Sequence, residues 1–360
     1  MDFDLTDDRR MLNDTLNRYL EAQYPLSARN AVAYQAPFHD PGKWSAMAEL
    51  GVLYALADVA SGGMGGTGFD ITTLFEPLGR TLCPEPFLAA LLAARLLASA
   101  GQPLEDLLSG QVTYAVGYDE PDMGGALEDL QTLAISDPQG WHLTGRKSVV
   151  YGAGVAGRLL IVARLPDGLP GLFEMTADCA QITPFGMIDG GAAGEVFLEA
   201  SPATLILRDA RAALADALDA GALALCAEAL GAMDVTAATV LEYLKTRKQF
   251  GRRIGDFQAL QHRMVDLMAQ IEQARSITIF AASRMGTDDQ SRAVSMAKTL
   301  IGQTARQVAE EAIQMQGGIA MTWEHETSHF AKRLVMIDHQ LGDTDHHLAR
   351  VIAGLQAPSG

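Results

Sequence analysis

The sequence predicts an α+β chain with three successive parts: an N-terminal helical domain over residues 1–110, a middle antiparallel β-domain over 111–207, and a C-terminal helical bundle over 208–360. Three observations support this division. Apolar residues recur at helical spacing in the first part, and short β-branched and aromatic runs separated by turn residues fill the second. Long, alanine-rich apolar patterns of helical type fill the third.

The N-terminal part begins with a helix start signal. Thr6 precedes Asp7 and Asp8, which predicts an N-cap followed by acidic residues in the first helical turn. Pro25 predicts the end of that helix. The stretches "WSAMAELGVL" and "LAALLAARLLASAG" predict further helices, and we interpret the glycine-rich "ASGGMGGTGFD" at residues 60–70 as a loop between helices.

Short segments with strand composition begin near Gln111 and continue to about residue 207. Turn residues separate them at intervals that are typical of a small antiparallel barrel or sandwich. The segments are "QVTYAVGYDE", "QTLAIS", "GWHLTGRKSVVYG", "RLLIVARLP", "GLFEMTA", "EVFLEAS" and "ATLILR".

From Asp209 onward the pattern is helical again and nearly all apolar, as in "ALADALDAGALALCAEALGAMDVTAATVLEYLKTRKQF". A helix that is apolar around most of its circumference is buried, often at a subunit interface. The order helix, β, helix lacks alternating βα units and any strand followed by GxGxxG, which argues against a Rossmann dinucleotide site. P-loop, HExxH and GxSxG motifs are also missing from the sequence.

Composition narrows the classes of partner. The net charge of −17 argues against nucleic acid and anionic membrane surfaces as ligands, although a local cationic pocket could still bind an anion. The three cysteines lie far apart and predict reduced, packed thiols. The acidic N-terminus lacks the apolar core of a signal peptide, and no run of 18 apolar residues occurs, so we expect a cytoplasmic protein that does not span a membrane.

The stretch "HQLGDTDHHL" at residues 339–348 concentrates histidine and aspartate. On a continuous helix His339, Asp343 and His347 would share one face, as metal ligands can. Gly342 weakens such a helix. The alternative is a turn in which Asp343 or Asp345 caps the helix that follows.

Two segments of the C-terminal part stand out. In "TRKQFGRRIGDFQALQHRMVDL", residues 246–267, Arg247, Lys248, Arg252 and Arg253 form the densest cationic cluster of an acidic chain. The cluster indicates a bound anion such as phosphate, or else a solvated basic turn between helices. In "QMQGGIAMTWE", residues 314–324, paired glycines interrupt a helical pattern and permit a tight turn or a close ligand approach.

Together these segments closely resemble the acyl-CoA dehydrogenase family. The family pattern RxxFGxxIxxFQxxQHxxAD is met at Arg247, Phe250, Gly251, Ile254, Phe257, Gln258, Gln261, His262 and Asp266. The pattern QxxGGxGxTxE is met at Gln314, Gly317, Gly318, Thr322 and Glu324, with Ala320 in place of a glycine. The order helix, β, helix matches the family along the whole chain.

The resemblance implies a C-terminal four-helix bundle that builds dimers and tetramers, and FAD bound without a covalent link across a subunit interface. It implies that a glutamate removes the α-proton of an acyl-CoA while the β-hydride passes to the flavin, which then reduces an electron-transfer flavoprotein. The family uses no metal at residues 339–348. The implied cofactor-binding residues are Arg247, Gln249, Phe250, Phe257, Gln258, Gln314, Gly317 and Gly318.

The chain departs from the family where catalysis is expected. The usual catalytic glutamate falls on Leu341, and the alternative glutamate position used by some members falls on Gly221. Asp219 and Asp343 are the nearby carboxylates that could act as a displaced base, although Asp219 also matches a family residue that contacts CoA. An arginine usual on the CoA-binding helix falls on Ala222.

The flavin-ring motifs of the β-domain are altered as well. The motif TEPxxGSD becomes "DEPDMGGA" at residues 119–126, and "WIT" becomes Val149, Val150 and Tyr151. In the family these groups come from the subunit that holds the reacting flavin ring, whereas the RxxF and QxxGG residues contact FAD bound in the neighbouring subunit. The chain therefore retains the RxxF and QxxGG residues with which, in the family, a subunit contacts FAD bound in its neighbour.

Three hypotheses follow. The first is a subunit of a heteromeric acyl-CoA dehydrogenase that contributes FAD contacts to a catalytic partner, for acyl-CoA thioesters with steroid side chains or other bulky acyl groups. The second is a self-sufficient homotetrameric acyl-CoA dehydrogenase with a displaced base, Asp219 or Asp343. The third is a structural protein or one with a different flavin reaction.

Overall fold

A computed structural model describes residues 6–121, 123 and 127–356 of the chain. Helices precede and follow a central β-region, which confirms the predicted order of elements. The chain folds into two compact units, one comprising Asn30–Gly66 and Pro84–Leu218 and the other Met1–Arg29, Thr67–Cys83 and Asp219–Gly360. We call them the β-unit and the helical unit. The division into three domains with boundaries at 110 and 207 stays a prediction.

The helices before the β-region begin where the capping signals lie. Thr6 accepts a hydrogen bond from the Arg9 amide and caps the first helix, as predicted. Asp40 caps the third helix in the same way. Between residues 6 and 110 the helices are α1 (Asp7–Gln23), α2 (Leu26–Ala33), α3 (Pro41–Glu49), α4 (Gly68–Thr81), α5 (Phe87–Ser99) and α6 (Glu105–Leu108).

The described residues of the β-region form seven strands, and the sheet closes on itself. The strands are β1 (Tyr114–Gly117), β2 (Leu133–Asp137), β3 (Gly140–Tyr151), β4 (Arg158–Arg164), β5 (Pro170–Thr176), β6 (Gln181–Gly186) and β7 (Ala192–Leu207). Six of them follow the order β1-β4-β2-β3-β7-β5, and β6 pairs with β7 beside this path. Because β5 also pairs with β4, the strands β4, β2, β3, β7 and β5 form a ring. The interior of this barrel is apolar, with Leu143, Ile161, Phe173 and Val196 among its buried residues.

Three details of the β-region differ from the sequence prediction. The segments "EVFLEAS" and "ATLILR" form one continuous strand, β7, instead of two. Strand β6 was not predicted, because most of its positions are exposed and it alternates too weakly. Strand β1 pairs with β4 in parallel, whereas most other pairs are antiparallel.

Long helices dominate the helical unit. Helix α7 (Arg211–Thr246) is followed by a short hairpin, β8 (Lys248–Gln249) and β9 (Arg252–Arg253). Helices α8 (Gln258–Arg284), α9 (Gln290–Gln316), α10 (Glu326–His339) and α11 (Thr344–Gln356) follow, and α9 packs against α8, α10 and α11.

Helix α7 is long and apolar enough to cross a membrane by length and composition alone, but 72% of an apolar 18-residue stretch of it is buried inside the protein. It crosses α4 at paired glycines. A Cβ on Gly231 would lie 2.0 Å from the Glu76 carbonyl oxygen, and one on Gly79 would lie 1.9 Å from the Glu228 carbonyl oxygen. The two backbones therefore pack without intervening side chains.

Candidate functional site

The first part of the candidate site is the turn between α10 and α11, which contains Leu341, the residue at the position of the family's usual catalytic glutamate. Leu341 and Gly342 adopt left-handed conformations, with φ of 55° and 93°. A Cβ on Gly342 would lie 2.6 Å from a ring carbon of His346, so glycine is required there. The Leu341 carbonyl accepts a hydrogen bond from Nε2 of His347 at 3.0 Å. This position thus carries an apolar side chain on a fixed turn.

A buried lysine and a buried histidine hold the turn. Nζ of Lys298, a fully buried residue, donates to the carbonyls of Asp338 at 3.0 Å and Gly342 at 2.8 Å. Burial lowers the pKa of this lysine. Nδ1 of His347 lies 3.2 Å from Oγ of Ser295, and burial lowers the pKa of His347 to about 3. The imidazole is therefore neutral at pH 7 and serves as a structural hydrogen-bonding group.

The two carboxylates named as displaced bases are both engaged elsewhere in the helical unit. Asp219 is 1% exposed, accepts a hydrogen bond from the Ser291 hydroxyl, and pairs with Arg350 at 3.1 Å. Asp343 caps α11, because its Oδ1 accepts the His346 amide at 2.8 Å, and this bond lowers the pKa of Asp343. Gly221, the second base position, lies buried in α7 and offers no side chain.

The histidine-rich residues 339–348 do not form a continuous helix: they run from the last residue of α10 through the turn into the first residues of α11. Both ring nitrogens of His347 already have hydrogen-bond partners. Within the described ranges, no group of three or more His, Cys, Asp or Glu side chains is placed to hold a metal ion. The helix-cap interpretation of Asp343 is confirmed, whereas the role of Asp345 as a cap is not observed.

Sequence reasoning missed a buried ion pair beside the turn. Glu228 of α7 and Arg333 of α10 form two hydrogen bonds of 2.6 Å, and Nη1 of Arg333 also donates to the Gln340 amide oxygen at 2.7 Å. The side chains of the pair are only 9% and 13% exposed. The signal in the sequence was a glutamate in the otherwise apolar run "ALALCAEALGAM". Through Gln340 this pair fixes the residue that precedes Leu341.

The second part of the candidate site is the cationic hairpin after α7. In the antiparallel register of β8 and β9, the backbone of Lys248 lies opposite Arg253 and that of Gln249 lies opposite Arg252. Phe250 and Gly251 form the turn with φ of 52° and 76°, and Phe250 is 90% exposed. The backbone amide of Arg247 donates to the Tyr243 carbonyl, so Arg247 continues the end of α7 and its side chain is exposed.

An aromatic pair supports the hairpin. The Phe250 ring meets the Phe257 ring edge to face at 6.3 Å, and the Arg252 guanidinium lies 4.0 Å over the Phe257 ring. Gln258 is the first residue of α8 and is exposed. Hairpin and helix start thus present exposed cations and amides on a fixed backbone.

The third part is the turn after α9. Gln314 is exposed in the last helical turn, and Gly317 has φ of 75°. A Cβ added to Gly317 or Gly318 would meet nothing within 4 Å, so this backbone is open to a ligand. Helices α8 and α9 form an antiparallel pair joined by the ion pair Arg263–Glu311 at 2.7 Å.

That ion pair brings the second and third parts to the same end of the helical unit, because Arg263 lies near the start of α8 and Glu311 near the end of α9. Exposed guanidinium groups beside an open glycine backbone are suited to a diphosphate. These residues therefore fit the pyrophosphate and adenosine portion of a nucleotide cofactor.

In the β-unit, the positions of the flavin-ring motifs carry different groups. Val149 has φ of 50° and is 43% exposed at an irregularity between β3 and β7. Glu120 and Lys147 form a buried ion pair of 2.6 Å, and burial lowers the pKa of Lys147 to about 8. Residues 122 and 124–126 of the "DEPDMGGA" motif lie outside the described residues. The described part of this region contains the Glu120–Lys147 ion pair and lacks the Trp and Thr side chains of the family motif.

Comparison with known proteins agrees with this architecture. Residues 211–355 match the family model described as acyl-CoA dehydrogenase, C-terminal domain. Acyl-CoA dehydrogenase IpdE2 of Mycolicibacterium smegmatis is 28% identical over 353 residues, covering 97% of this chain and 99% of that protein.

Two solved structures are similar over nearly the full length. A chain of a Tcur3481–Tcur3483 steroid ACAD variant has a TM-score of 0.86 and 28% identity, covering 98% of this chain and 99% of that one. A chain of the ChsE4–ChsE5 complex from Mycobacterium tuberculosis has a TM-score of 0.89 and 22% identity over the whole of both chains, which shows a shared fold.

Proposed function

Because the chain belongs to the acyl-CoA dehydrogenase family of FAD-dependent oxidoreductases, we propose that it is one subunit of a heteromeric acyl-CoA dehydrogenase. It contributes FAD-binding residues to a partner subunit of the same family. The partner supplies the catalytic base and the pocket for the flavin ring. The reaction of the assembly is the α,β-desaturation of an acyl-CoA thioester.

The observation that carries this proposal is a difference between the two ends of the helical unit: one lacks a carboxylate at the base positions, and the other keeps the cofactor-binding residues exposed. At one end, the base positions hold Leu341 and Gly221, and the carboxylates of Asp219 and Asp343 are bound within the fold. At the other end, the Arg247 side chain and the glycine backbone at Gly317 remain exposed. Random loss of function would not preserve the cofactor-binding residues while removing the catalytic base.

In this proposal the exposed residues of the hairpin and of the glycine turn bind the FAD of the partner subunit. Arg247 binds the pyrophosphate of the partner's FAD, since its guanidinium can donate two parallel hydrogen bonds to phosphate oxygens. Phe250 packs beside the nucleotide, and Gly317 with Gly318 admits it close to the backbone. When bound, FAD supplies acceptance of the β-hydride of the acyl-CoA. The α-proton is removed by the partner's base.

The substrate and partners are part of the same proposal. A similar structure is named a steroid ACAD, and another similar structure is a complex of two different chains, ChsE4 and ChsE5. We therefore propose a bulky acyl-CoA, such as a steroid side-chain thioester, as the substrate class. We also propose assembly as a cytoplasmic heterotetramer that reduces an electron-transfer flavoprotein.

The test is to purify the chain alone and after co-expression with a second acyl-CoA dehydrogenase encoded beside it. We expect a colourless chain alone and a yellow mixed tetramer with about half a flavin per chain. Arg247→Ala in the mixed tetramer should weaken FAD binding at least tenfold, because one charge-assisted pair to phosphate contributes about 1.5–3 kcal/mol. Arg292→Ala, which removes an exposed cation paired with Asp289, is the matched control.

The opposite result is equally clear. A yellow homotetramer with one flavin per chain, bleached by an acyl-CoA, would refute the heteromeric assignment. It would favour the self-sufficient enzyme, with Asp219 and Asp343 as the next residues to substitute.

A further inference from the structure

A buried histidine anchors the glycine turn, the residues 317–325 that connect α9 to α10. His329 of α10 is fully buried, and its Nε2 lies 2.8 Å from the Trp323 carbonyl oxygen. Because a carbonyl can only accept, Nε2 carries a proton and donates. The imidazole also meets the Trp323 indole edge to face, with 4.7 Å between the ring centroids. One side chain therefore holds both the backbone and the ring of Trp323.

Three large apolar residues of the glycine turn are exposed. Ile319, Met321 and Trp323 are 49%, 70% and 51% exposed, so their packing stabilises the turn little. Inside the turn, the Thr322 amide donates to the Ile319 carbonyl at 3.1 Å, a bond between residues only three apart. The bond from His329 instead comes from a helix that packs against α9. It therefore fixes the far end of the turn relative to the helix from which the turn starts.

Two positive charges act on the imidazole of His329. Arg29 of α2 is 1% exposed, and its Nε donates to the Leu82 carbonyl at 3.0 Å. Nζ of Lys332 lies 4.7 Å from the centre of the Trp323 ring. Burial lowers the pKa of His329, and the charges of Arg29 and Lys332 lower it further. The ring is therefore a neutral donor at pH 7, since a proton would add a third cation at a buried place.

We propose that His329 is a positioning residue that keeps the glycine turn in the shape that binds a nucleotide. The inference rests on the proposed function, in which Gly317 and Gly318 admit the partner's FAD to the backbone. Glycines restrict their own backbone little, so the turn keeps one shape only if its far end is fixed. The neutral imidazole fixes that end at Trp323. Protonation of the ring adds a third positive charge to the two already present and loosens the turn.

Hydrogen–deuterium exchange on the full chain tests the anchor without any cofactor. His329→Leu removes the donor, and we expect the amides of residues 317–325 to exchange at least threefold faster at pH 7. His329→Gln keeps an N–H donor for the Trp323 carbonyl and should restore most of the protection. His339→Gln, the same change at an exposed histidine at the end of α10, is the matched control and should leave exchange unchanged. Unchanged exchange in His329→Leu would overturn the inference.

The FAD affinity of the mixed tetramer tests the consequence for the ligand. His329→Leu should weaken FAD binding about fivefold, whereas His329→Gln should stay within about twofold of the unaltered chain, because only the first variant loses the hydrogen bond. Weaker binding in Arg247→Ala with no change in His329→Leu would overturn the positioning role alone. No change in either variant would refute the proposed function, and with it the nucleotide as the ligand of this turn.

The pH dependence separates positioning from packing alone. Between pH 7.5 and 5 the tetramer with the unaltered chain should lose more FAD affinity than the His329→Gln tetramer, because the glutamine side chain does not take up a proton. His325, Glu324 and Glu326 are further ionisable residues of the same segment, and they are unchanged in this comparison. The difference between the two tetramers therefore reports His329. An equal loss of affinity in both would contradict the requirement for a neutral imidazole.

Discussion

Replacing Glu228 by glutamine removes one charge from the buried pair that joins α7 to α10. The pair makes two hydrogen bonds of 2.6 Å, and its side chains are only 9% and 13% exposed, so the variant takes a buried carboxylate charge away from Arg333. Loss of one partner of a buried ion pair typically costs about 3–5 kcal/mol. Because glutamine keeps one acceptor oxygen, we expect a loss near the lower end, about 3 kcal/mol. For a unit of this size that lowers the melting temperature by about 6–12 °C.

The assay is thermal unfolding followed by far-UV circular dichroism, at one protein concentration for all variants because oligomers are concentration-dependent. Glu310→Gln, on an exposed position of α9, serves as the control and should change the melting temperature by less than about 2 °C. The double variant Glu228→Leu, Arg333→Met should recover most of the loss, because no charge is left buried. A melting temperature within about 2 °C of the original chain for Glu228→Gln would refute a tight, desolvated pair.

Three further predictions concern the turn and the helix crossing. Leu341→Glu should give no acyl-CoA-dependent flavin bleaching in the chain alone, and marked activity in that single variant would contradict the loss of the whole catalytic half-site. The pKa of His347 is about 3 in the folded chain and about 6.5 in the unfolded chain, so the unfolded chain binds the proton more readily. The contribution of the neutral imidazole to stability should therefore be complete above about pH 6.5. It should fall as the pH drops towards 3, by up to about 1.4 kcal/mol per pH unit. The free energy of unfolding, measured by urea titration at several pH values, should depend less steeply on pH in that range for His347→Gln. An equal dependence on pH would argue against a buried neutral imidazole. Gly231→Ala should destabilise the chain by about 2–3 kcal/mol because its Cβ meets the Glu76 carbonyl, whereas Gly354→Ala, whose Cβ meets nothing within 4 Å, should be neutral or slightly stabilising in the same measurement.

Local signals accounted for much of the fold. The Thr6 cap, the Asp343 cap and the apolar helix α7 follow from capping and burial rules that act over a few residues. Strand β6 did not follow, since its mostly exposed residues give no alternating pattern. Nor did the continuity of β7, because its pairing with β3, β5 and β6 is set by distant residues.

For the candidate site, the motif residues could be named from the sequence, but their environments could not. Spacing alone does not indicate that Arg263 and Glu311 bring the hairpin and the glycine turn to one end of a helix pair. Gln316 is one letter of "QMQGGIAMTWE", and only the folded chain shows that its side-chain amide is buried with no hydrogen-bond partner among the described residues. Such features depend on contacts between residues tens of positions apart.

The turn between α10 and α11 connects these findings. A catalytic carboxylate needs an environment that lets it approach a substrate and change its protonation state. Here the same segment is held by Lys298, His347 and the Arg333–Gln340 bond, and its carbonyls are engaged by buried donors. Those contacts favour a fixed, neutral turn over a reactive one. We therefore expect that a single substitution at Leu341 does not place a base in a productive position, as the proposal that the base comes from a partner chain requires.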